Sequence, residues 1–314
     1  MTEQLTARDA RVRPLAETDL AEADRIMRLA FGTFLGLPDP MAFLGDGDYV
    51  RSRWRVDRAA ALAAEADGRV VGSNFAIRWG SVGYFGPLTV HPSLWDRGIA
   101  RQLLARTMEI MDGWGLSHTG LFTFGHSPKH IALYQAFGFL PRFLTAVLSA
   151  PISPLAGPGA GAGWTTYSAD PDRAGRLADC MVLTDTIYPG LDVSRELLAC
   201  QEQGLGDTVL LEKGSGFAVC HVGPGSEGDT GTCLIKFAAA RAAADFERLV
   251  EACEGFAAGR GAIRLVAGMN TARRDAYRIL LQRGFAADFI GVTMHRPDEP
   301  GYSRPDAYVI DDWR

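Results

Sequence analysis

The residues best suited to chemistry lie between Val90 and Ala100, where the chain reads VHPSLWDRGIA. Gly98 and Ala100 stand at the predicted start of an amphipathic helix. The first amides there lack partners, lie at the positive end of the helix dipole and are not shielded by large side chains. Arg97 and Arg101 add positive charge. This arrangement predicts a pyrophosphate site, although Gly98 also suits a tight helix entry with no ligand.

A second feature lies just upstream, where Gly86 and Pro87 interrupt the predicted strand YFGPLTV. Proline cannot donate to a sheet ladder, so the pair predicts a bulge or a lost pairing. Backbone N–H and C=O groups from Leu88 through Thr89 to Val90 are then free to pair with an extended ligand that carries amides. A pyrophosphate joined to a peptide-like arm describes coenzyme A. A dinucleotide fits less well, because the G-x-G-x-x-G pattern is absent.

The elements that must position these residues follow from the hydrophobic periodicity. Residues before Pro151 predict the order β-α-α-β-β-β-α-β-α-β, including a hairpin that turns at Asp67 and Gly68, and residues after Gly163 repeat this order. The predicted fold class is α/β, with two tandem domains that each contain a mixed, splayed β-sheet flanked by helices. The first helix is expected to bury one face, made of Leu20, Ala23, Ile26, Met27 and Ala30.

The predicted domains are residues 1–150 and 164–314, and the sequence PISPLAGPGAGAG at 151–163 predicts a linker between them. A gapless alignment of the two halves places Gly284 and Phe285 on Gly138 and Phe139, and TCLIK on GPLTV. The repeat therefore indicates a tandem duplication of one α/β unit.

The first half resembles the GNAT N-acetyltransferase superfamily over most of residues 11–150. The combination of these motifs is more specific than any one of them. The resemblance rests on Val90, Pro92, Gly98, Ala100, Leu133, Tyr134, Gly138 and Phe139.

This resemblance implies that Leu88 and Val90 bind the pantetheine arm of acetyl-CoA. It also implies that Tyr134 lies near the sulfur and acts as the general acid, with a tyrosine packed on an apolar helix face as the alternative. The family usually has Gln or Arg where this chain has Trp95, but a loop that acts through its amides is expected to keep its function. The amides expected to hold the pyrophosphate belong to Trp95, Asp96, Arg97, Gly98, Ile99 and Ala100.

The helix that starts at Pro128 brings further polar residues to the predicted site. Ser127 is expected to cap the helix that starts at Pro128, and it stands where the family often has Asn. Lys129 can reach a cofactor phosphate or remain a surface lysine. No residue is identified as the general base: a water chain can serve, and capping or surface roles are favoured for His126 and His130.

The segment from Phe31 to Val50 corresponds to the border of the acceptor pocket in the superfamily. Its mixed composition can hold a cationic amine with an apolar body, and a plain surface loop is the alternative. The residues that carry this expectation are Phe31, Phe34, Met41, Phe43, Asp39, Asp46 and Asp48.

The second half lacks the residues that the resemblance requires. The alignment places Ala244 on Gly98, Phe246 on Ala100 and Leu280 on Tyr134. A degenerate copy with a structural or pocket-completing role is therefore expected.

The leading prediction is an acetyl-CoA-dependent N-acetyltransferase that moves an acetyl group to a primary amine of a small molecule or peptide by direct attack on the thioester. A non-catalytic coenzyme A sensor is one alternative. A tandem enzyme like mycothiol synthase is another, although that enzyme is expected to keep its intact loop in the second copy.

Composition limits the partners and the location. The net charge of −5 disfavours nucleic acid as a partner. No apolar run is long enough for a membrane span, and the polar start MTEQLTARDARVRP has no apolar core of a signal peptide, so a cytoplasmic protein is expected. Five cysteines without a C-x-x-C pair predict buried thiols and no metal site. Both a monomer and a homodimer remain open.

Overall fold

The structure, a computed structural model, describes residues 10–152 and 163–314 as one continuous 14-stranded sheet with helices on both faces. Residues 153–162, most of the predicted linker, lie outside the described residues. In the described part the helices are α1 Leu20–Phe34, α2 Val50–Val56, α3 Ile99–Gly113, α4 Pro128–Gln135, α5 Arg173–Ile187, α6 Ser194–Gln203, α7 Ala243–Gly259 and α8 Arg274–Gln282. The strands are β1 Arg11–Pro14, β2 Ala61–Ala66, β3 Arg69–Trp79, β4 Val82–Phe85, β5 Thr89–Val90, β6 His118–Thr123, β7 Leu140–Pro151, β8 Trp164–Thr166, β9 Gly206–Leu211, β10 Gly216–Val222, β11 Thr232–Ala240, β12 Arg264–Asn270, β13 Ala286–Arg296 and β14 Tyr308–Ile310.

The local predictions for the first half are confirmed. All five residues expected on the apolar face of α1 are buried, and β2 and β3 form a hairpin that turns at Asp67 and Gly68. The alternation of side chains along β2 explains how the sheet supports two cores: Ala61 and Ala63 pack with α1, whereas Leu62 and Ala64 pack with α3.

In both halves, the first two helices lie on one face of the sheet and the last two lie on the other. Helices α1, α2, α5 and α6 share one core, in which Trp79 and Phe237, one from each half, have ring centroids 5.2 Å apart. Helices α3 and α4 cover the opposite face of the first half, and α7 and α8 cover that of the second. The shared core makes the two halves pack as one body.

The last predicted strand of each half pairs with the other half. Strand β13 lies between β6 and β7, and β7 lies between β13 and β12. Among the described strands, the partners of β7 are β12 and β13, so β7 does not pair with another strand of the first half. Strands β7 and β13 each contain a run of consecutive buried residues, and such a run suits an interior strand whatever its neighbours are, so the exchange leaves no trace in the sequence. The division into two domains stays a prediction.

The sheet of the first half opens after Tyr84. Strand β4 runs parallel to β6 from Val82 to Tyr84, and the chain then turns away through a cis Gly86–Pro87 bond. Strand β5 pairs with β3 alone among the described strands. The predicted loss of pairing at Gly86 and Pro87 is thus confirmed, and it leaves a slot between β5 and the end of β6.

The equivalent slot of the second half contains another strand. Strand β11 runs parallel to β12 from Thr232 to Ile235, and β14 then pairs with Ala238–Ala240 of β11. Asp311, just after β14, bridges to Met269 of β12. The chain itself therefore lies between the two diverging strands.

These registers correct the gapless alignment of the halves. Val82 starts the parallel pairing opposite His118, and Thr232 starts it opposite Arg264, so TCLIK corresponds to VGYFG and the placement on GPLTV is wrong. The reason is a shortened connection: residues 91–98 join β5 to α3, whereas only Arg241 and Ala242 join β11 to α7.

Two general expectations are answered by the described residues. All five cysteines are buried and free, which confirms the prediction of buried thiols. None of the helices in residues 10–152 and 163–314 has the length and apolar character needed to cross a membrane.

Candidate functional site

The slot between β5 and β6 widens into a cavity of about 1060 Å³. Its walls come from α1, the β5–α3 connection, the end of β6, α4 and β13. Every residue predicted from the sequence for acetyl-CoA or catalysis lines this one cavity. These residues are Leu88, Thr89, Val90, Trp95, Asp96, Arg97, Gly98, Ile99, Ala100, Arg101, Ser127, Lys129 and Tyr134.

Gly98 is the N-cap of α3 and has a left-handed backbone with φ 84°. A side chain at this position would be strained, so a tight helix entry requires the glycine by itself. A Cβ built on Gly98 would nevertheless meet no atom within 4 Å. The space above the first amides of α3 is therefore open.

Strand β5 directs alternate backbone groups into the slot. The His91 N–H donates to the Val71 carbonyl of β3, and such bonds alternate along a strand, so the amides of Leu88 and Val90 point away from β3. The Val90 carbonyl is not free, because the Trp95 indole Nε1–H donates to it at 2.8 Å. The expectation that all these groups await a ligand is therefore wrong for this carbonyl.

Lys129 and Asp96 form an ion pair between α4 and the loop before α3. The Lys129 ammonium also lies 6.0 Å from the centroid of the Trp95 ring. Both charged side chains are largely exposed, so the pair contributes little to stability. It does place a carboxylate beside the amides at which a phosphate would bind.

Tyr134 is buried on α4, and its ring lies 5.8 Å from that of Phe85. Burial raises the pKa of Tyr134 well above its usual value, while a hydrogen bond with the Thr123 hydroxyl lowers it in part. The hydroxyl is therefore protonated at physiological pH and can donate a hydrogen bond. Full proton transfer to a thiolate is less favourable than the ordinary phenol pKa implies.

The start of α4 brings two histidines to the cavity wall. Ser127 caps the helix by accepting from the His130 N–H, as predicted, and both His126 and His130 line the cavity. Burial, followed by the charges of Lys129 and His126, lowers the pKa of His130, which favours its neutral form. His91 is not among the lining residues, and its ring accepts from the Ser93 N–H.

The segment after α1 contributes its aromatic residues but not its acids. Phe31, Phe34 and Phe43 line the cavity, whereas Met41 does not. The three aspartates expected beside an amine are also absent from its lining. Asp39 accepts from the Met41 N–H, Asp46 accepts from the Thr230 N–H, and Asp48 accepts from the Arg51 N–H.

The second half supplies part of the wall, which sequence reasoning missed. Phe289 and Ile290 reach the cavity because β13 lies beside β6, and Trp313 and Arg314 follow β14. Trp313 has a left-handed backbone with φ 56°, and its indole donates to the Tyr302 hydroxyl at 2.8 Å. A non-glycine residue in this conformation needs support from its surroundings, and buried hydrogen bonds provide it.

A buried ion cluster joins the halves behind the cavity. The Arg53 guanidinium donates to both oxygens of Glu227 at 2.8 and 3.0 Å, and Lys236 Nζ lies 2.7 Å from Glu227 Oε2. Burial opposes ionisation of Glu227, but Arg53 and Lys236 hold its pKa well below the usual range. Arg53 also donates to the Gly86 carbonyl at 2.7 Å, so the cluster supports the bulge that opens the slot.

Comparison with known families agrees with this geometry. Residues 25–139 match the model of the acetyltransferase (GNAT) family. This stretch includes β5, α3 and α4, the elements that form the slot. No curated protein matches the sequence.

Solved structures match the fold across both halves. A putative acetyltransferase from Pyrococcus horikoshii matches with a TM-score of 0.71 at 17% identity, over 100% of this chain and 98% of that one. A GCN5-related N-acetyltransferase from Sphaerobacter thermophilus matches with a TM-score of 0.61 at 17% identity, over 93% of this chain and 96% of that one. A tandem GNAT protein from the clavulanic acid biosynthesis pathway matches with a TM-score of 0.55 at 15% identity, over 91% of this chain and 98% of that one. The chain thus has a GNAT-like α/β fold, and its first half is similar to acetyltransferases.

Proposed function

We propose that the chain is an acetyl-CoA-dependent N-acetyltransferase whose active site is the cavity of the first half. The observation that carries this proposal is the convergence of the open start of α3, the unpaired face of β5 and Tyr134 on one cavity. A pyrophosphate site, an amide-pairing edge and a protonated hydroxyl are the three features that an acyl-CoA thioester needs. Acetyl-CoA, when bound, supplies the acetyl group as a thioester.

Residues of the cavity have three roles in the proposed reaction. The amides from Trp95 to Ala100 hold the pyrophosphate with the positive end of α3, and Arg97 and Arg101 add charge. The amides of Leu88 and Val90 orient the pantetheine arm and polarise the thioester carbonyl. Tyr134 donates a hydrogen bond to the sulfur and so stabilises the departing thiolate.

The second half, in this proposal, is a degenerate copy that does not bind acetyl-CoA. Two observations support this role: β14 pairs with β11 where a pantetheine arm would lie, and the phosphate-binding connection is reduced to Arg241 and Ala242. The half instead completes the cavity with Phe289, Trp313 and neighbouring residues.

Calorimetric titration of acetyl-CoA tests both parts of the proposal. We expect one site per chain, and we expect Gly98→Glu to abolish it, since the carboxylate fills the space above the α3 amides and repels the phosphates. Gly261→Glu, just after α7, is the control, because Gly261 is exposed, has a left-handed backbone with φ 76° like Gly98, and a Cβ there also meets nothing within 4 Å. Two sites would contradict the degenerate second copy, and no binding to the folded protein would contradict the whole proposal.

Turnover distinguishes an enzyme from a sensor. Release of free thiol in the presence of a panel of primary amines is expected for a transferase. Tight acetyl-CoA binding without transfer to any amine of the panel would favour the non-catalytic coenzyme A sensor.

A further inference from the structure

The end of the cavity beyond the acetyl-CoA slot is lined by a continuous set of aromatic rings, here called the aromatic wall. Its members come from α1, the following loop, β6 and β13, so both halves contribute. The wall consists of Phe31, Phe34, Phe43, Phe122, Phe124 and Phe289.

The rings of the wall contact one another in sequence. The Phe31 ring stacks on Phe43 with centroids 5.1 Å apart, and the Phe34 ring lies 5.0 Å from Phe124. Phe289 reaches the wall from the second half, with its centroid 6.3 Å from that of Phe124. These separations are typical of favourable aromatic pairs, and a further flat ring can join the set.

The charges around the wall argue against a polycationic ligand. Among the described residues that line the cavity, the only carboxylate side chain is that of Asp96, in the loop before α3 and already paired with Lys129. Asp39, Asp46 and Asp48 have partners outside the cavity. A ligand with several ammonium groups would therefore leave charges in an apolar space without partners, which is costly.

The wall also leaves apolar surface uncovered at the cavity rim. Phe289 is 38% exposed and Ile290 is 50% exposed, although both are large apolar residues. The rings of His126 and His130 adjoin the wall through Phe34. Burial lowers the pKa of His130, which favours the neutral imidazole that can accept a proton. The site thus offers stacking for one ring and a proton acceptor for one amine.

We propose that the aromatic wall binds the acceptor, and that this acceptor is a primary amine on an aromatic body with no second positive charge. The assignment rests on the proposed acetyl transfer. In the reaction, the neutral amine nitrogen bonds to the thioester carbonyl carbon, and the carbon–sulfur bond breaks with its electron pair on sulfur, so coenzyme A leaves as the thiolate. The proton lost by the amine passes through a histidine or water and balances the charge of that thiolate.

The test uses the full chain and two probes, 2-phenylethylamine and spermidine. We expect kcat/KM with acetyl-CoA to be at least about tenfold higher for 2-phenylethylamine, and Phe289→Ala to lower that value about tenfold without changing the KM for acetyl-CoA. Phe143→Ala is the matched control, since Phe143 is the counterpart of Phe289 in the first half and does not line the cavity. Equal or better use of spermidine, or equal effects of the two variants, would overturn the assignment.

A binding measurement separates this inference from the proposed function. Calorimetry with 2-phenylethylamine alone is expected to show one site that Phe289→Ala weakens. If this site is present while acetyl-CoA does not bind, the aromatic site stands and the transferase proposal fails. If acetyl-CoA binds but 2-phenylethylamine neither binds nor reacts, the transferase proposal stands and the aromatic acceptor is wrong.

Discussion

The two halves of the chain have the same order of elements but differ in what lies between their diverging strands. In the first half, β5 and β6 separate and leave an open cavity behind Gly86. In the second, β11 and β12 separate and β14 lies against β11. A strand and an extended ligand with amides satisfy the same backbone groups, so one architecture can either bind a ligand or close on its own chain.

The largest effect is expected where the halves meet. Glu227→Gln removes the charge that holds Arg53 and Lys236 in the buried cluster, and the free energy of unfolding is expected to fall by about 3–5 kcal/mol. Urea denaturation measures this change. Glu251→Gln, on the exposed face of α7, is the control and should leave the midpoint unchanged. A midpoint for Glu227→Gln equal to that of the control would show that the cluster does not hold the halves together.

A chemical difference between the halves is expected at α4 and α8. Tyr134→Phe removes the hydroxyl from the cavity and is expected to lower kcat about 100-fold, with little change in acetyl-CoA affinity. Tyr277→Phe, on the equivalent helix of the second half, should leave kcat unchanged. Steady-state kinetics and calorimetry on the same preparations make the comparison, and an unchanged kcat for Tyr134→Phe removes Tyr134 from the mechanism.

Acid should weaken the junction between β6 and the exchanged strand β13. Burial lowers the pKa of His118 to about 4 and that of His295 to about 3, and His118 Nε2 lies 3.0 Å from His295 Nδ1. Because the unfolded chain, with histidine pKa values near 6.5, binds these protons more tightly, stability is fully present above that pH and is lost as pH falls toward the folded values.

The measurement compares unfolding free energies at several pH values. The natural chain is expected to lose roughly 1–3 kcal/mol more than the His118→Gln/His295→Gln double variant between about pH 6.5 and pH 5. Equal slopes for the two proteins would assign the acid sensitivity to other groups.

The smallest effect concerns the loop before α3. Asp96→Asn frees Lys129 and removes a negative charge beside the phosphate site, so acetyl-CoA should bind about two- to threefold more tightly at low salt. Asp245→Asn, in the first turn of α7, is the matched change in the second half and should have no effect. Calorimetric Kd values at two salt concentrations test this, and weaker binding of Asp96→Asn would mean that Asp96 orders the loop.

Local chemistry made much of the first half predictable. A proline inside a strand and a glycine at a helix start have few structural explanations, so the slot and its lining could be inferred from Gly86, Pro87 and Gly98. The neighbours of a strand could not be predicted in this way, because the apolar pattern of β7 suits either half equally. Phe289 and Trp313 could not be placed at the cavity for this reason. The aspartates of the loop after α1 were misplaced because composition does not show which way each carboxylate points.

The exchange of β7 and β13 has a consequence for synthesis. While the ribosome is still making the second half, β6 and β7 both lack β13, so one edge of each strand stays unpaired until β13 emerges. The central ladder joins Leu144 to Val292, and contacts so distant along the chain form late in folding. Completion of the cavity therefore waits for nearly the whole chain, and a nascent first half has an exposed sheet edge prone to aggregation.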